Sequence, residues 1–269
     1  MQKTILITGS TDGIGLETAK MLVLLGHHVL LHGRNPEKLK AVEKMLSELP
    51  GKGRVESYVA DLSRMADVEL LANAVAQQHS KLDVLINNAG IYSASVSITE
   101  DGLDPRFAVN TIAPYLLTKQ LMSLLGTSGR VVNLSSAAQE CVDLQALIGQ
   151  KQISDDFTGY AQSKLALTMW SRSMALSLGA NGPIIIALNP GSMLGSKMVK
   201  DAFGVVGGDL SKGAKILARA ALDDEFASAS GQYFDNDSGR FAPPHCDALD
   251  QLKSDAVVHA IETKLTELK

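Results

Sequence analysis

The sequence predicts an α/β fold: one doubly wound domain over residues 1–269, with a seven-stranded parallel sheet covered by helices on both faces. Three observations predict it. Short β-branched or Leu-rich runs alternate with longer helical patterns along the chain. Most of the short runs are almost continuously apolar, as strands buried on both faces are. No internal repeat, low-complexity segment or linker interrupts the series.

The strand-like runs, in order, are "KTILIT", "HVLLH", "RVESYV", "LDVLIN", "RVVNLS", "PIIIALN" and a weaker "GQYFD". Helical patterns fill the intervals from Gly13 to Leu25, Pro36 to Leu49, Met65 to His79, Leu103 to Leu125 and Thr158 to Leu178. Asn35 before Pro36 reads as a helix cap, and Gly26 and Gly126 as helix stops. Two segments break the rhythm: Ala137 to Phe157, and residues 190–209, rich in Gly, Ser and Met. Both follow carboxyl ends of strands, where open α/β sheets bind ligands, so 190–209 is expected to form a lid over substrate and cofactor.

At 45% hydrophobic, a chain of 269 residues can bury a full core. A net charge of −4 argues against a protein that coats nucleic acid or an anionic membrane, so neither is expected as a partner. Cys141 and Cys246 are far apart in sequence and show no metal-ligand spacing; they read as ordinary thiols in a reducing compartment. The start "MQKTILITGS" enters a strand pattern at once, and the apolar runs are too short to span a bilayer, so a cytoplasmic location is expected. No metal is expected: the pair His27–His28, and His245 beside Cys246, lack ligand spacing. "DNDSG" from Asp235 lacks the acids of a calcium loop and reads as a turn. The basic residues of "KDAF…SKGAK" read as a solvated helix face.

"ILITGSTDGIGLETA" is a strand, a glycine-rich turn and a helix. Gly9 permits the tight turn, Gly13 lets backbone approach a phosphate, and Gly15 lets the helix pack close to the strand. The helix start then offers free N–H groups and partial positive charge to a pyrophosphate. No lysine follows the glycines, so this is not a nucleotide-triphosphate loop. Further on, "GYAQSK" sets Tyr160 four residues before Lys164, on one helix face. "PYLLTK" gives Tyr115 and Lys119 the same spacing, so spacing alone does not choose between them.

Taken in order, "TGSTDGIG", "VADLS", "NNAG" (Asn87 to Gly90), "FAVNTIAPYLLT", "GRVVNLSS", "YAQSK" and "LNPGSM" resemble the motifs of the short-chain dehydrogenase/reductase family, nearest in pattern to its retinol dehydrogenase-like and carbonyl reductase branches. The resemblance covers nearly the whole chain and implies a Rossmann-type domain. It implies a cofactor site built from Gly9, Ser10, Thr11, Gly13, Ile14, Gly15, Arg34, Asn35, Asp61, Leu62, Asn88, Ala89, Gly90, Tyr160, Lys164, Pro190, Gly191, Met193 and Ser196. It implies a catalytic set of Asn110, Ser136, Tyr160 and Lys164, with Tyr115 a packed ring on the asparagine helix. Ser135 and Ser136 face opposite ways, so only one faces the site; the family's strand end points to Ser136.

The implied activity is NADPH-dependent reduction of a ketone or aldehyde to an alcohol, reversible, with Tyr160 as proton donor. A free phenol titrates near pH 10 (about 10 in the unperturbed side chain), and a nearby ammonium lowers that value. Ser136 would hold the substrate oxygen, and Asn110 a water-linked relay to Lys164. A nucleotide-binding regulator without catalysis, or a carbon–carbon double-bond reductase, would share the fold. The second strand ends in "GRNPEK", where NAD sites usually carry an acid; Arg34 instead suits the 2′-phosphate of NADP(H), with NAD(H) the weaker expectation. Asp12 in the glycine turn is a contrary signal. Gly195 stands where the family usually has a threonine, leaving Ser196 as the nearest hydroxyl. Met193, Leu194, Met198 and Val199 suggest an apolar pocket. The family often pairs the asparagine and tyrosine helices of two copies, so a homo-oligomer is expected.

Overall fold

A computed structural model describes residues 1–269. Strand β1 (Thr4–Ile7) leads into α1 (Gly13–Leu24), then β2 (His28–Gly33), α2 (Pro36–Ser47), β3 (Arg54–Val59), α3 (Met65–Gln78) and β4 (Val84–Asn87). Next comes α4, a helical run of Pro105–Phe107, a π-helical turn Ala108–Ile112, and Ala113–Gln120. Strand β5 (Arg130–Leu134), helix α5 (Asp156–Leu178) and β6 (Ile184–Asn189) follow. Helices α6 (Lys197–Phe203) and α7 (Leu210–Leu222), strands β7 (Tyr233–Asp235) and β8 (Arg240–Ala242), and helix α8 (Gln251–Glu267) complete the chain.

The sheet order is β3-β2-β1-β4-β5-β6-β7-β8. Seven strands are parallel, as expected; an eighth, β8, pairs antiparallel with β7 and corrects the expected count. Its three residues, "RFA", are too short to carry a strand pattern and follow a turn at Ser238–Gly239 that folds the chain back. The order reverses between β1 and β4, so the turns after these two strands open the crevice that binds ligands in such sheets.

Each sheet face carries its own core. One holds Leu6, Leu85 and Val131 against α3, α4, α5 and α8. The other holds Ile5, Ile7 and Val132 against α1, α2 and α7. Asn35 caps α2, accepting from Lys38 N at 2.9 Å. No helix is long and apolar enough to cross a membrane.

The segment after β5 folds back onto α4. Ala146 and Leu147, on a short helix, are buried in the first core. Arg106 ties the segment down. It pairs with Asp104 at 2.6 Å and donates to the carbonyls of Ile153 and Asp155. A Cβ at Gly159 would lie 2.3 Å from its guanidinium carbon, so only glycine admits this approach. Helix α8 lies across α4 and α5. Glu262 accepts from Tyr115 and Lys119, each at 2.6 Å, and Asp255 accepts from Ser173 at 2.9 Å. Helix α8 thus occupies part of the surface expected to join two copies.

Candidate active site

The glycine turn is held by its neighbours. Gly9 has φ +64°, and a Cβ there would meet Ala89 Cα at 2.9 Å. A Cβ at Gly15 would stand 2.4 Å from both Gly9 O and Asn88 Nδ2, so α1 starts hard against the β1 and β4 turns. Asn88 donates to Thr8 O and Gly9 O, and Thr8 Oγ1 accepts from Asn88 N and Ala89 N. Asn87 is buried deeper, in a chain through Asn133 to Ser171.

From this turn a cleft of about 450 Å³ runs along the strand ends. It is bordered by Thr11, Ile14, Arg34, Asp61, Leu62, Gly90, Tyr160, Lys164, Pro190 and Ser196, as expected, and by Lys38 and His32, which were not. Ser10 does not face it: its hydroxyl is buried against the backbone of His32. Asn35 serves as the α2 cap. Asp12 caps α1 through Gly13 N and accepts from Lys38 Nζ at 2.6 Å. Its charge is thus offset, and Lys38, with Asp12's carboxyl held below the usual range by that bond, brings a second cation beside the exposed Arg34. His32 is neutral: burial holds it down at about 4. Its Nδ1 accepts from Gly9 N and its Nε2 bonds Ala60 O, so it braces the turn.

At the other end stand the four catalytic candidates. Ser135 borders the cleft, but its buried hydroxyl is taken by Thr168 Oγ1 and Lys164 O. The Ser136 hydroxyl accepts from Ala138 N at 3.1 Å and stands near enough to the Tyr160 phenol to influence its titration. Lys164, on the next turn of α5, donates to Leu134 O at 2.7 Å, and its Nζ lies 5.7 Å from the Tyr160 ring centre. Burial lowers Lys164 to about 8. Burial also pushes the Tyr160 phenol up, the Ser136 hydroxyl opposing it. Asn110 sits in the π-helical turn, a distortion that often marks functional sites. Its Oδ1 accepts from Ile91 N, and its Nδ2 donates to Ile91 O and Ser163 Oγ. A Cβ at Gly90 would stand 3.3 Å from both Asn110 Oδ1 and Lys164 Nζ, so Gly90 leaves that corner open.

The pocket mouth departs from expectation. It is aromatic: Tyr92 lies 5.3 Å from Tyr160 and 5.3 Å from Phe203, ring centre to ring centre. Leu194 is buried under Gly213 instead, while Met198 borders the cleft and Met193, at φ +52°, is exposed. Sequence reading passed over Tyr92 and Phe203 because one follows "NNAGI" and the other ends α6, remote segments that only the fold joins. Ser196 caps α6 through Val199 N and stands beside Gly13, its Cβ 3.7 Å from where a Gly13 Cβ would lie. The "DNDSG" turn links β7 to β8 and clasps the loop after β6. Asn236 donates to Pro190 O, and Asp237 accepts from Ser192 N and from its hydroxyl.

Tyr115 is outside the cleft, edge-on to Trp170 and bonded to Glu262. Tyr115→Phe should therefore keep turnover and lower stability by about 1 kcal/mol, the usual worth of one hydrogen bond, as read from chemical denaturation.

The site's residues fit a dinucleotide: a glycine cradle that any Cβ would fill, a helix start above it, and cations at the far end. Residues 3–204 match the family model described as short chain dehydrogenase. Human "Retinol dehydrogenase 13" is 30% identical over 251 residues, covering 87% of this chain and 76% of its own length. A crystal structure of an uncharacterized protein from Mycobacterium Paratuberculosis superposes with TM-score 0.79 at 26% identity, covering 98% of this chain and 93% of that one. A metagenomic short-chain oxidoreductase solved in complex with NADP gives TM-score 0.62 at 28% identity, over 81% of this chain and 90% of that one. With its glycine cradle, its Tyr160–Lys164 helix and this match across most of its length, the chain belongs to the short-chain dehydrogenase family, the NAD(P)-dependent oxidoreductases.

Proposed function

We propose that the protein reduces an apolar ketone or aldehyde to an alcohol with NADPH, reversibly, and that Tyr160 donates the proton. The observation that carries this is the convergence of Ser136, Tyr160 and Lys164 on one end of a cleft whose other end carries Arg34 and Lys38. NADPH, when bound, supplies the hydride. The chain does the rest. Ser136 and Tyr160 hold the carbonyl oxygen through their hydroxyls, and Tyr160 passes its proton to that oxygen as negative charge develops there. Lys164, which lines the cleft, would use the N–H groups not taken by Leu134 O to hold the ribose hydroxyls of the bound cofactor. Asn110 fixes the π-helical turn against Ile91 and Ser163 and keeps the Gly90 corner open for water. The cluster of Tyr92 and Phe203 beside Tyr160 favours an apolar or aromatic carbonyl compound. The names of the relatives, retinol dehydrogenase and "Polyprenol dehydrogenase", agree with an apolar substrate class. A cytoplasmic setting suits the free thiols and the lack of a membrane-spanning helix.

A panel of aldehydes and ketones of graded chain length, followed by NADPH absorbance and product identification, tests this. Turnover that rises with apolar chain length, giving the alcohol, supports it. A saturated carbonyl product from an enone, or cofactor binding with no turnover across the panel, overturns it.

The pH dependence follows from Lys164. Burial lowers its pKa from 10.5 to about 8, so the donor ammonium is present below that value and lost as pH rises through it. In the free enzyme, kcat/KM for NADPH should decline above pH about 8. A profile flat up to the ordinary lysine range would show that the charge on Lys164 is dispensable.

A further inference from the structure

Behind the strand end that carries Ser136, two segments remote in sequence meet. Cys141 belongs to the loop after β5, while His245 and Asp247 belong to the start of the short helix Cys246–Leu249. A ligand atom from each of these three residues lies within 4.8 Å of the other two. Sequence spacing gave no sign of this, because Cys141 comes from the far side of α5.

Two ligands of a tetrahedral zinc ion stand roughly 3.3–3.8 Å apart, given metal–ligand bonds of about 2.0–2.3 Å. The three atoms need to draw together by roughly one ångström, well within rotamer adjustment for side chains of this length. A thiol, an imidazole and a carboxylate form a donor set that suits zinc-like cations rather than calcium or magnesium. We propose that Cys141, His245 and Asp247 form a binding site for a thiophilic divalent cation of the zinc type, with water in the fourth position.

The groups already interact in a way that the cation would take over. Asp247 stands close enough to the Cys141 thiol to hold it above its ordinary pKa, and its Oδ1 accepts from the Cys246 thiol at 3.9 Å. Asp247 Oδ1 also accepts from Lys253 Nζ at 2.6 Å, and a carboxylate keeps a second oxygen for a metal. His245 Nδ1 accepts from Asp247 N at 3.2 Å. Binding replaces the thiol proton, which leaves to solvent as the sulfur–metal bond forms. It also takes the imidazole lone pair from the helix cap, and it places a cation near Lys253. Each change costs affinity, so the site is exchangeable rather than a closed structural centre.

The position gives the site a mechanical consequence. His245 N donates to Gln139 Oε1 at 3.1 Å, and Gln139 Nε2 donates to Ser136 O at 2.9 Å. A cation held by Cys141 and His245 would fasten the loop from Ser136 to Cys141 to the turn before α8. Cys246 Sγ, at 3.9 Å from His245 Nδ1, is the nearby thiol that must be told apart from Cys141.

The test is titration of the reduced, chelator-treated full chain with Co²⁺, displaced afterwards by Zn²⁺. We expect one equivalent bound, a sulfur-to-cobalt charge-transfer band with tetrahedral visible absorption, and a raised melting temperature. Cys141→Ser should remove the charge-transfer band and weaken binding by at least the roughly 10- to 100-fold that loss of an outer-shell partner costs. Cys246→Ser should retain the band. Folding of each variant is read from its circular dichroism. The proposal is overturned if folded wild-type protein binds no Co²⁺, if the band survives Cys141→Ser, or if Cys246→Ser alone removes it.

Discussion

Tyr160→Phe should lower kcat by at least about 10²- to 10⁴-fold, the usual contribution of a positioned general acid, while NADPH still binds. The substitution deletes one hydroxyl and leaves the ring that packs on Tyr92. The raised phenol supports the reductive direction proposed for the enzyme. Burial holds the phenol above its ordinary pKa, so Tyr160 keeps its proton until a carbonyl oxygen arrives. Ser136, close beside it, works the other way and favours the phenolate that would remain afterwards. Fluorescence titration with NADPH, beside NADPH oxidation with a turned-over carbonyl, separates binding from chemistry. If Tyr115→Phe were the inactive variant and Tyr160→Phe the active one, the choice of tyrosine would be wrong.

Arg34→Ala should raise the Michaelis constant for NADPH roughly ten- to a hundredfold and leave that for NADH nearly unchanged. Losing a charged hydrogen bond costs on the order of 1.5–3 kcal/mol, and each 1.4 kcal/mol is about tenfold. Arg34 is exposed at the cleft edge just past β2, free to turn onto a 2′-phosphate. Asp12, the group that would oppose that phosphate, is bound to Lys38, which makes this end of the cleft a two-cation site. Because Lys38 shares the load, Arg34→Ala sits nearer the tenfold end, and the double variant with Lys38→Ala goes further. Equal losses for both cofactors, or a wild-type enzyme that works better with NADH, would sink the assignment to NADP(H).

Much of this architecture is legible in the sequence because its signals are local. The glycines announce positive φ and close approach, the apolar runs announce buried strands, and the four-residue spacing of Tyr160 and Lys164 announces one helix face. Strand alternation says only that one of Ser135 and Ser136 faces the site; the choice of Ser136 comes from the family resemblance, and the two hydroxyls do have different partners. What is not legible depends on segments that meet only in three dimensions. Tyr92 and Phe203 belong to separate loops. Arg106 passes for a surface cation until Gly159 is seen beside it. Helix α8 buries only Ser254, Val257 and Ile261, too narrow a stripe to stand out. Helix α7, by contrast, buries a broad alanine-rich face, yet the basic residues around its start drew the reading toward solvent.

The loop after β6 is fastened at its base and loose at its tip. Asp237 and Asn236 grip Ser192 and Pro190, Gly195 N donates to Gly208 O, and Gly208 N donates to Met193 O, the last two at 2.7 Å each. Helix α6, beyond that clasp, buries none of its residues. A segment whose side chains are at most half-buried opens at a lower free energy than global unfolding. Entry and departure of a dinucleotide can therefore proceed by a fraying of α6 alone, on the timescale of loop motion, while Pro190 and Gly191 stay in register beside the strand ends. Release of product and spent cofactor should then respond to helix propensity at Lys200 and Asp201, exposed positions of α6 that do not border the cleft.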